Sequence, residues 1–447
     1  MGKSRLFAPL FSLGISLLGL AAAQHVTIKY WLWDPNEEVG YKGCVASFEQ
    51  LHPNITVKIT QTGWANYWNN LLTSFVSGTA PDVFWDHVSR FPQLVQSGQL
   101  LNLKPYIQQA HLKTNIYTFN NLTKLWDYKG GVYGLPKDFD AIAIFYNKNM
   151  FKAAGINPNM ANSWTWNPTN GGTFGQVIRK LTVDKNGVRG TSAKFNPSNV
   201  KTWGFTPFSG TGPGGNVGQT QWSWLAYSNG WQYSPGSKPG QWVTHFDYNS
   251  PKLAQTFQWI VNWQKAGYLS PYSTTTSLGG DSLFLSGKVA MTSDGAWMAG
   301  YYYSNAKFPV GVALLPIGPD GRKSMSNDLS DAIWSGSPHK QQAWEWVKYL
   351  ASPACQNIVA RYAVVLPAIK QASQLAVKTF ESKGINIRPF YQEAANPKTA
   401  FLWPFSKNGN EVYNTAHSDL QKVFLGDVSN IQSYLDQMNK QINSMVQ

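Results

Sequence analysis

From His25 the chain switches hydrophobic period four times in about sixty residues, and this succession constrains the fold more than any other feature. HVTIKYWLW alternates with the period of two of a half-buried strand, and EEVGYKGCVASFEQLHP then sets Val39, Cys44, Val45, Phe48 and Leu51 near helical spacing. NITVKIT alternates again, with Ile55, Val57 and Ile59 on one face. WANYWNNLLTSFVSG reads as a helix ended by Gly78, and PDVFW as a short strand after it. Strand, helix, strand, helix, strand predicts a parallel or mixed α/β sheet with right-handed crossovers. A second such region opens at AIAIFYN (Ala141 to Asn147), and a later strand is expected in FPVGVALLP. Helices are expected in KQQAWEWVKYLASPACQNIVARYA and, as two polar-faced segments, from about Asn410 to the end. Between Asn157 and Gly240 the composition turns to Gly, Pro, Ser, Asn and Trp, the mark of long loops.

A chain of 447 residues has length for two or three domains. Residues 1–23 read as a signal peptide: Lys3 and Arg5 form a basic start, Leu6 to Leu20 an apolar run, and Ala21-Ala22-Ala23 a small-residue cleavage site. The mature chain is therefore expected to be exported and periplasmic, and Gln24 after the cut, rather than Cys, argues against a lipid anchor. Removing Lys3 and Arg5 lowers the formal net charge from +14 to +12. The basic residues are dispersed, without a run of five, so no nucleic-acid partner is expected.

Charged residues make up 13% of the chain, about half the usual share of roughly 25%, and 20 Trp, 21 Tyr and 23 Phe replace them. Catalytic signatures are missing: there is no HExxH, CxxC, GxSxG or strand-flanked GxGxxG, and the His residues are isolated. No metal and no cofactor are expected. The Gly cluster Gly210 to Gly218 lacks the Lys-Ser/Thr ending of a phosphate loop and reads as a plain loop. Aromatic side chains beside isolated carboxylates suit two functions on residue chemistry alone, a glycosidase and a carbohydrate-binding protein.

Four segments resemble, in order, the family-1 extracellular solute-binding proteins of ABC importers, the group that includes maltose-binding protein. They are SGTAPDVFWDH (Ser77 to His87), LPKDFDAIAIFYNKNM (Leu135 to Met150), FLSGKVAMTSDGAW (Phe284 to Trp297) and KQQAWEWVKYLASPACQ (Lys340 to Gln356). The resemblance implies no reaction. It implies two α/β lobes of type II-like periplasmic-binding-protein fold, a hinge crossed three times, a ligand cleft between lobes, and delivery of cargo to a membrane permease by a monomer. The crossings fall near Asp138 to Ala143, Val310 to Pro316 and Arg361 to Pro367. The N-terminal lobe would then hold 25–138 plus 317–362, and the C-terminal lobe 143–310 plus 367–447.

The same resemblance assigns ligand-binding roles. Asp140 matches the hinge acid that accepts sugar hydroxyls, Asp86 a ligand-facing carboxylate, and Trp297 an aromatic that stacks on a pyranose. Trp33 and Asp34 end the first strand, where the carboxyl ends of the sheet open on the crevice. Trp64, Trp224, Trp334 and Tyr362 are further candidates. Asp82 is expected to hold a turn, and Asp138 to be a solvent or turn carboxylate. Cys44 and Cys355 both fall in the expected N-terminal lobe and form a disulfide candidate, two buried thiols being the alternative. The abundance of Trp favours a neutral mono- or oligosaccharide as cargo, and the family also includes glycerol-phosphate, polyamine and iron binders. A secreted glycoside hydrolase or lyase is the alternative from another class.

Overall fold

The computed structural model describes residues 2, 25–117, 122–208, 218–238 and 240–447. The expected signal peptide, apart from Gly2, and most of the Gly210 to Gly218 cluster lie outside the described residues.

The opening alternation forms strand β1, Val26–Leu32, with Ile28, Tyr30 and Leu32 buried. Asp34 then starts helix α1, Pro35–Leu51, because its carboxylate accepts from the N–H groups of Asn36 at 2.7 Å and Glu37 at 3.3 Å, and Pro35 fits the first turn. The buried stripe of α1 is Glu37, Gly40, Tyr41, Cys44 and Phe48, whereas the expected Val39 and Leu51 are 44% and 65% exposed. Gly40 and Tyr41 take that face because it packs against the helix Pro353–Tyr362. Strand β2, Ile55–Gln61, pairs with β1 in parallel from Val26 opposite Ile55 to Leu32 opposite Gln61. Helix α2, Trp64–Val76, leads to strand β3, Val83–His87, parallel to β1 on its other side.

Three later segments complete this six-stranded sheet. Asn327–Ile333 runs antiparallel to β3, Leu135–Asp140 antiparallel to Asn327–Ile333, and Leu366–Pro367 closes the edge. A separate three-stranded sheet has Ile142–Asn147 at its centre, between Met291–Gly295 and Val310–Ala313. Only Ala141 separates the two sheets along the chain. AIAIFY is apolar at every position because its alternate side chains serve two cores: Ala143 and Phe145 pack with the first, Ile142, Ile144 and Tyr146 with the second.

The chain next changes sheets between Ala313 and Asn327, where Ser324–Met325 pairs with Ala400–Phe401. After Leu366–Pro367, helix Lys370–Ser382 packs on Pro353–Tyr362, and helix Arg388–Ala395 touches both Leu135–Asp140 and Ile142–Asn147. The C-terminal helices, Gly409–Leu425 and Ile431–Val446, pack on Pro251–Lys265 beside the second core. Cys44 and Cys355 are joined by a disulfide, which fastens α1 to the helix Pro353–Tyr362.

Candidate functional site

Strand direction gathers the chemistry at one edge. β1 and β3 are parallel, and Leu135–Asp140 shares their direction because it pairs with β3's antiparallel neighbour. Their carboxyl ends therefore align: Trp33 and Asp34 follow β1, Asp86 and His87 end β3, and Asp140 ends the third strand opposite Asn327. The carboxyl edge of such a sheet is where crevices open. The second sheet meets the same edge, since Gly295 pairs with Ile142, two residues beyond Asp140. Trp297 projects from the short turn after Gly295, half-buried and packed against both cores. Gly295 is needed for space, because a Cβ there would collide with the Trp297 ring.

The edge is rich in buried carboxylates. Asp140 is 2% exposed, and its Oδ1 has no hydrogen-bond partner among the described residues. Burial raises its pKa well above the usual carboxylate range, and the Asp138 and Glu37 charges add to the effect. Asp86 is fully buried; its Oδ1 accepts from the His87 N–H at 2.8 Å and its Oδ2 has no partner among the described residues. Burial raises Asp86 as well, against that one hydrogen bond. Asp328 and Asp331 are pushed up to about 7, again by burial.

Behind them sits a cation that residue patterns alone did not mark. Lys137 Nζ donates to Glu37 Oε2 at 2.9 Å and to Asp138 Oδ2, and lies 3.7 Å from the centre of the Trp85 ring. Burial opposes its charge, and Asp138 and Glu37 outweigh burial and raise its pKa. Asp138 is therefore not the solvent or turn carboxylate expected of it: it is 1% exposed and paired. The cause is a bulge, since Leu329 opposes Asp138 and Ser330 opposes Pro136, leaving Lys137 unmatched. A bulge breaks the strict alternation of faces, so consecutive side chains can meet. Asp82 is structural as expected, accepting from the Lys29 N–H at 2.8 Å and the Ser337 hydroxyl at 2.6 Å.

Aromatic rings wall the first-sheet side. The Trp33 ring lies 5.1 Å from Trp64, 5.0 Å from Trp85 and 6.3 Å from His87, centroid to centroid. Trp68, absent from the expected set, completes this group at 5.5 Å from Trp33. His87 is buried, its Nδ1 2.8 Å from the Ser89 hydroxyl, and burial followed by the Arg90 charge pushes it down to about 3. Arg90 reaches the second core's helix: its Nη1 donates to Asn410 Oδ1 at 2.8 Å, and its guanidinium carbon lies 4.1 Å from the Tyr413 ring centre and 5.7 Å from that of Trp68.

Three expected residues stand elsewhere. Trp224 is enclosed in the second core against Phe174 and Phe205. Trp334 is at the opposite end of the first sheet, its backbone N–H bonded to the Asp82 carbonyl at the start of β3 and its indole N–H to Gln99. Tyr362 is 42% exposed and covers Gly43 on α1. Asp34 is at the edge, with Oδ1 committed to its helix cap.

A two-core chain whose sheets share one crevice edge has the architecture of a binding protein, and comparison with known proteins agrees. The family model of bacterial extracellular solute-binding proteins matches residues 33–357. This chain belongs to that family. The solute-binding protein is 23% identical to the multiple sugar-binding protein of Streptococcus mutans over 343 residues, 73% of this chain and 71% of that one. An uncharacterized lipoprotein of Streptomyces antibioticus is 28% identical over 167 residues, 37% of this chain and 35% of the lipoprotein's own length. Among solved structures, an ABC substrate-binding protein from Listeria monocytogenes in complex with cycloalternan superposes with a TM-score of 0.79 at 20% identity, over 94% of this chain and 99% of that one. The solute-binding protein thus has the two-lobed α/β fold of its relatives, with a hinge crossed three times and the cleft between lobes.

Proposed function

We propose that the protein is the substrate-binding subunit of an ABC importer and takes a mono- or oligosaccharide in the crevice between its lobes. The observation that carries this reading is the placement of Asp140 and Trp297 at one junction, each two residues along the chain from the pair Gly295–Ile142. A sugar offers hydroxyl edges and weakly apolar C–H faces, which match carboxylates and indole rings respectively. In this reading Asp140 and Asp86 accept hydroxyl hydrogens, and Trp297, Trp33 and Trp64 cover ring faces. The names of the relatives, a multiple sugar-binding protein and an ABC substrate-binding protein in complex with cycloalternan, support the cargo class.

The first lobe holds 25–140 and 327–382 and the second 142–325 and 400–447, with Arg388–Ala395 across the joint. This division moves the expected breaks at 317 and 367 along the chain. The Ile317 N–H is bonded to the Trp164 carbonyl at 2.8 Å and the Ser326 N–H to the Phe401 carbonyl at 2.8 Å, which keeps 317–326 beside the second core, while Lys370–Ser382 stays on the first. A ligand touching both lobes favours the closed form by its differential affinity, and closure presents the cargo to the permease. The protein acts as a monomer, exported to the periplasm, without cutting its cargo.

A thermal-shift screen of the mature chain against saccharides tests this, because a ligand of the folded state raises the melting temperature by mass action. A sugar that raises it and is recovered uncut is the expected result. A shift with phosphoesters or polyamines and with no saccharide would overturn the cargo, and recovery of cleaved sugar would overturn the role.

A further inference from the structure

Arg90, three residues past His87 at the carboxyl edge of β3, carries a charge that a neutral sugar does not explain. Its guanidinium is largely withdrawn from water between Tyr413 and Trp68, and Nε is buried without a hydrogen-bond partner among the described residues. All 23 Asp and Glu residues of the chain lie among the described residues, and none pairs with Arg90. Its polar contacts among the described residues are neutral, the Tyr413 hydroxyl and the amide of Asn410, the latter in the first turn of Gly409–Leu425, where the helix dipole is positive and opposes a cation. A desolvated charge left without a counter-ion is costly, and burial already pulls the Arg90 pKa down. Nη1 is engaged and Nε is not, which leaves an uncommitted N–H donor of the kind that meets a carboxylate oxygen.

We propose, resting on the saccharide reading above, that the cargo is acidic: Arg90 binds the carboxylate of a uronate residue, while neutral hydroxyls meet Asp140 and Asp86. Arg90 stands four residues past Asp86 and joins first-lobe rings to the second-lobe Tyr413, so an anion there completes a contact that both lobes share. The mature chain's net charge of +12 draws such a ligand in.

The test is calorimetric binding of uronate oligosaccharides of several backbones, each beside its methyl ester, which keeps the shape and removes the charge. Neutral oligosaccharides form a third arm. The expected result is one acid bound about 10–100-fold more tightly than its ester, by a margin that narrows with added salt. Arg90→Gln brings that ratio toward one, and Arg90→Lys keeps part of it. Should Arg90→Gln fail to fold by circular dichroism, the acid-to-ester ratio of Arg90→Lys and the salt dependence of the wild type decide. An ester bound as well as its acid, or a ratio that survives Arg90→Gln, overturns the inference. Binding confined to neutral sugars overturns it and leaves the saccharide reading standing, whereas binding of no saccharide at all removes both.

Discussion

Replacing Lys137 by Met removes the one cation paired with Glu37 and Asp138 among the described residues and keeps most of the apolar stem. Glu37 is 5% and Asp138 1% exposed, so neither carboxylate can recover hydration in place. Losing one partner of a buried ion pair costs about 3–5 kcal/mol, and the Trp85 ring at 3.7 Å adds a cation–π contribution of up to about 2 kcal/mol. Side-chain burial by Met returns part of this, so a loss of about 4 kcal/mol at pH 8 is expected. Urea unfolding followed by tryptophan fluorescence measures it. The variant's Glu37 and Asp138 fold with carboxyl pKa values above their unfolded ones. Such groups stabilise the fold below the ordinary carboxylate pKa and lose that stability as pH rises, so the deficit shrinks on acidification from pH 8 toward pH 5. Adding Glu37→Gln to Lys137→Met removes one stranded charge and restores part of the loss. A deficit below about 1 kcal/mol at pH 8, or one that grows on acidification, would refute the view that Lys137 holds a desolvated charge pair together.

Asp140→Ala lowers affinity for the cargo about 10–100-fold by calorimetry. The unliganded melting temperature holds or rises, because a buried carboxylate with an unpartnered oxygen is removed; unchanged affinity would sink its role as a hydroxyl acceptor. Gly295→Ala displaces the Trp297 ring and weakens binding about tenfold, whereas the same affinity with a moved ring would free Trp297 from any part in recognition. Cys355→Ser opens a crosslink between residues 311 apart in sequence, and the chain-entropy relation puts the loss near 4–6 kcal/mol. Reductant should produce a similar fall in the wild-type urea midpoint and none in the variant.

Local periodicity carried much of the first sheet and the core strand Ile142–Asn147, because strands and helices declare themselves within a dozen residues. The points where the chain leaves one sheet for the other did not appear locally. They depend on partners such as Phe401 for Ser326, 75 positions distant, and no pattern near residue 317 encodes them. The Lys137–Glu37 pair is hidden for the same reason, its members lying 100 residues apart. Asp138 was misjudged because counting by twos assumes an unbroken ladder, and the extra residue at Lys137 breaks it. Trp334 and Trp33 both follow strands of one sheet, and only strand direction distinguishes the crevice end from the far end. Trp224 illustrates a further difficulty: eight of the 20 tryptophans are among the largest fully buried side chains, so abundance of indole is a weak pointer to a binding wall.

The Cys44–Cys355 bond encloses the whole of the second core's segment from Ile142 to Met325 inside a covalent ring closed on helices of the first core. A peptide bond cut anywhere between those cysteines, in a surface loop of the middle region for instance, therefore releases nothing. The two fragments stay one molecule, separable on a gel only after reduction, and the severed lobe remains tethered to the partner it must close against. The crosslink thus turns a nick into a local loss of order rather than a loss of material.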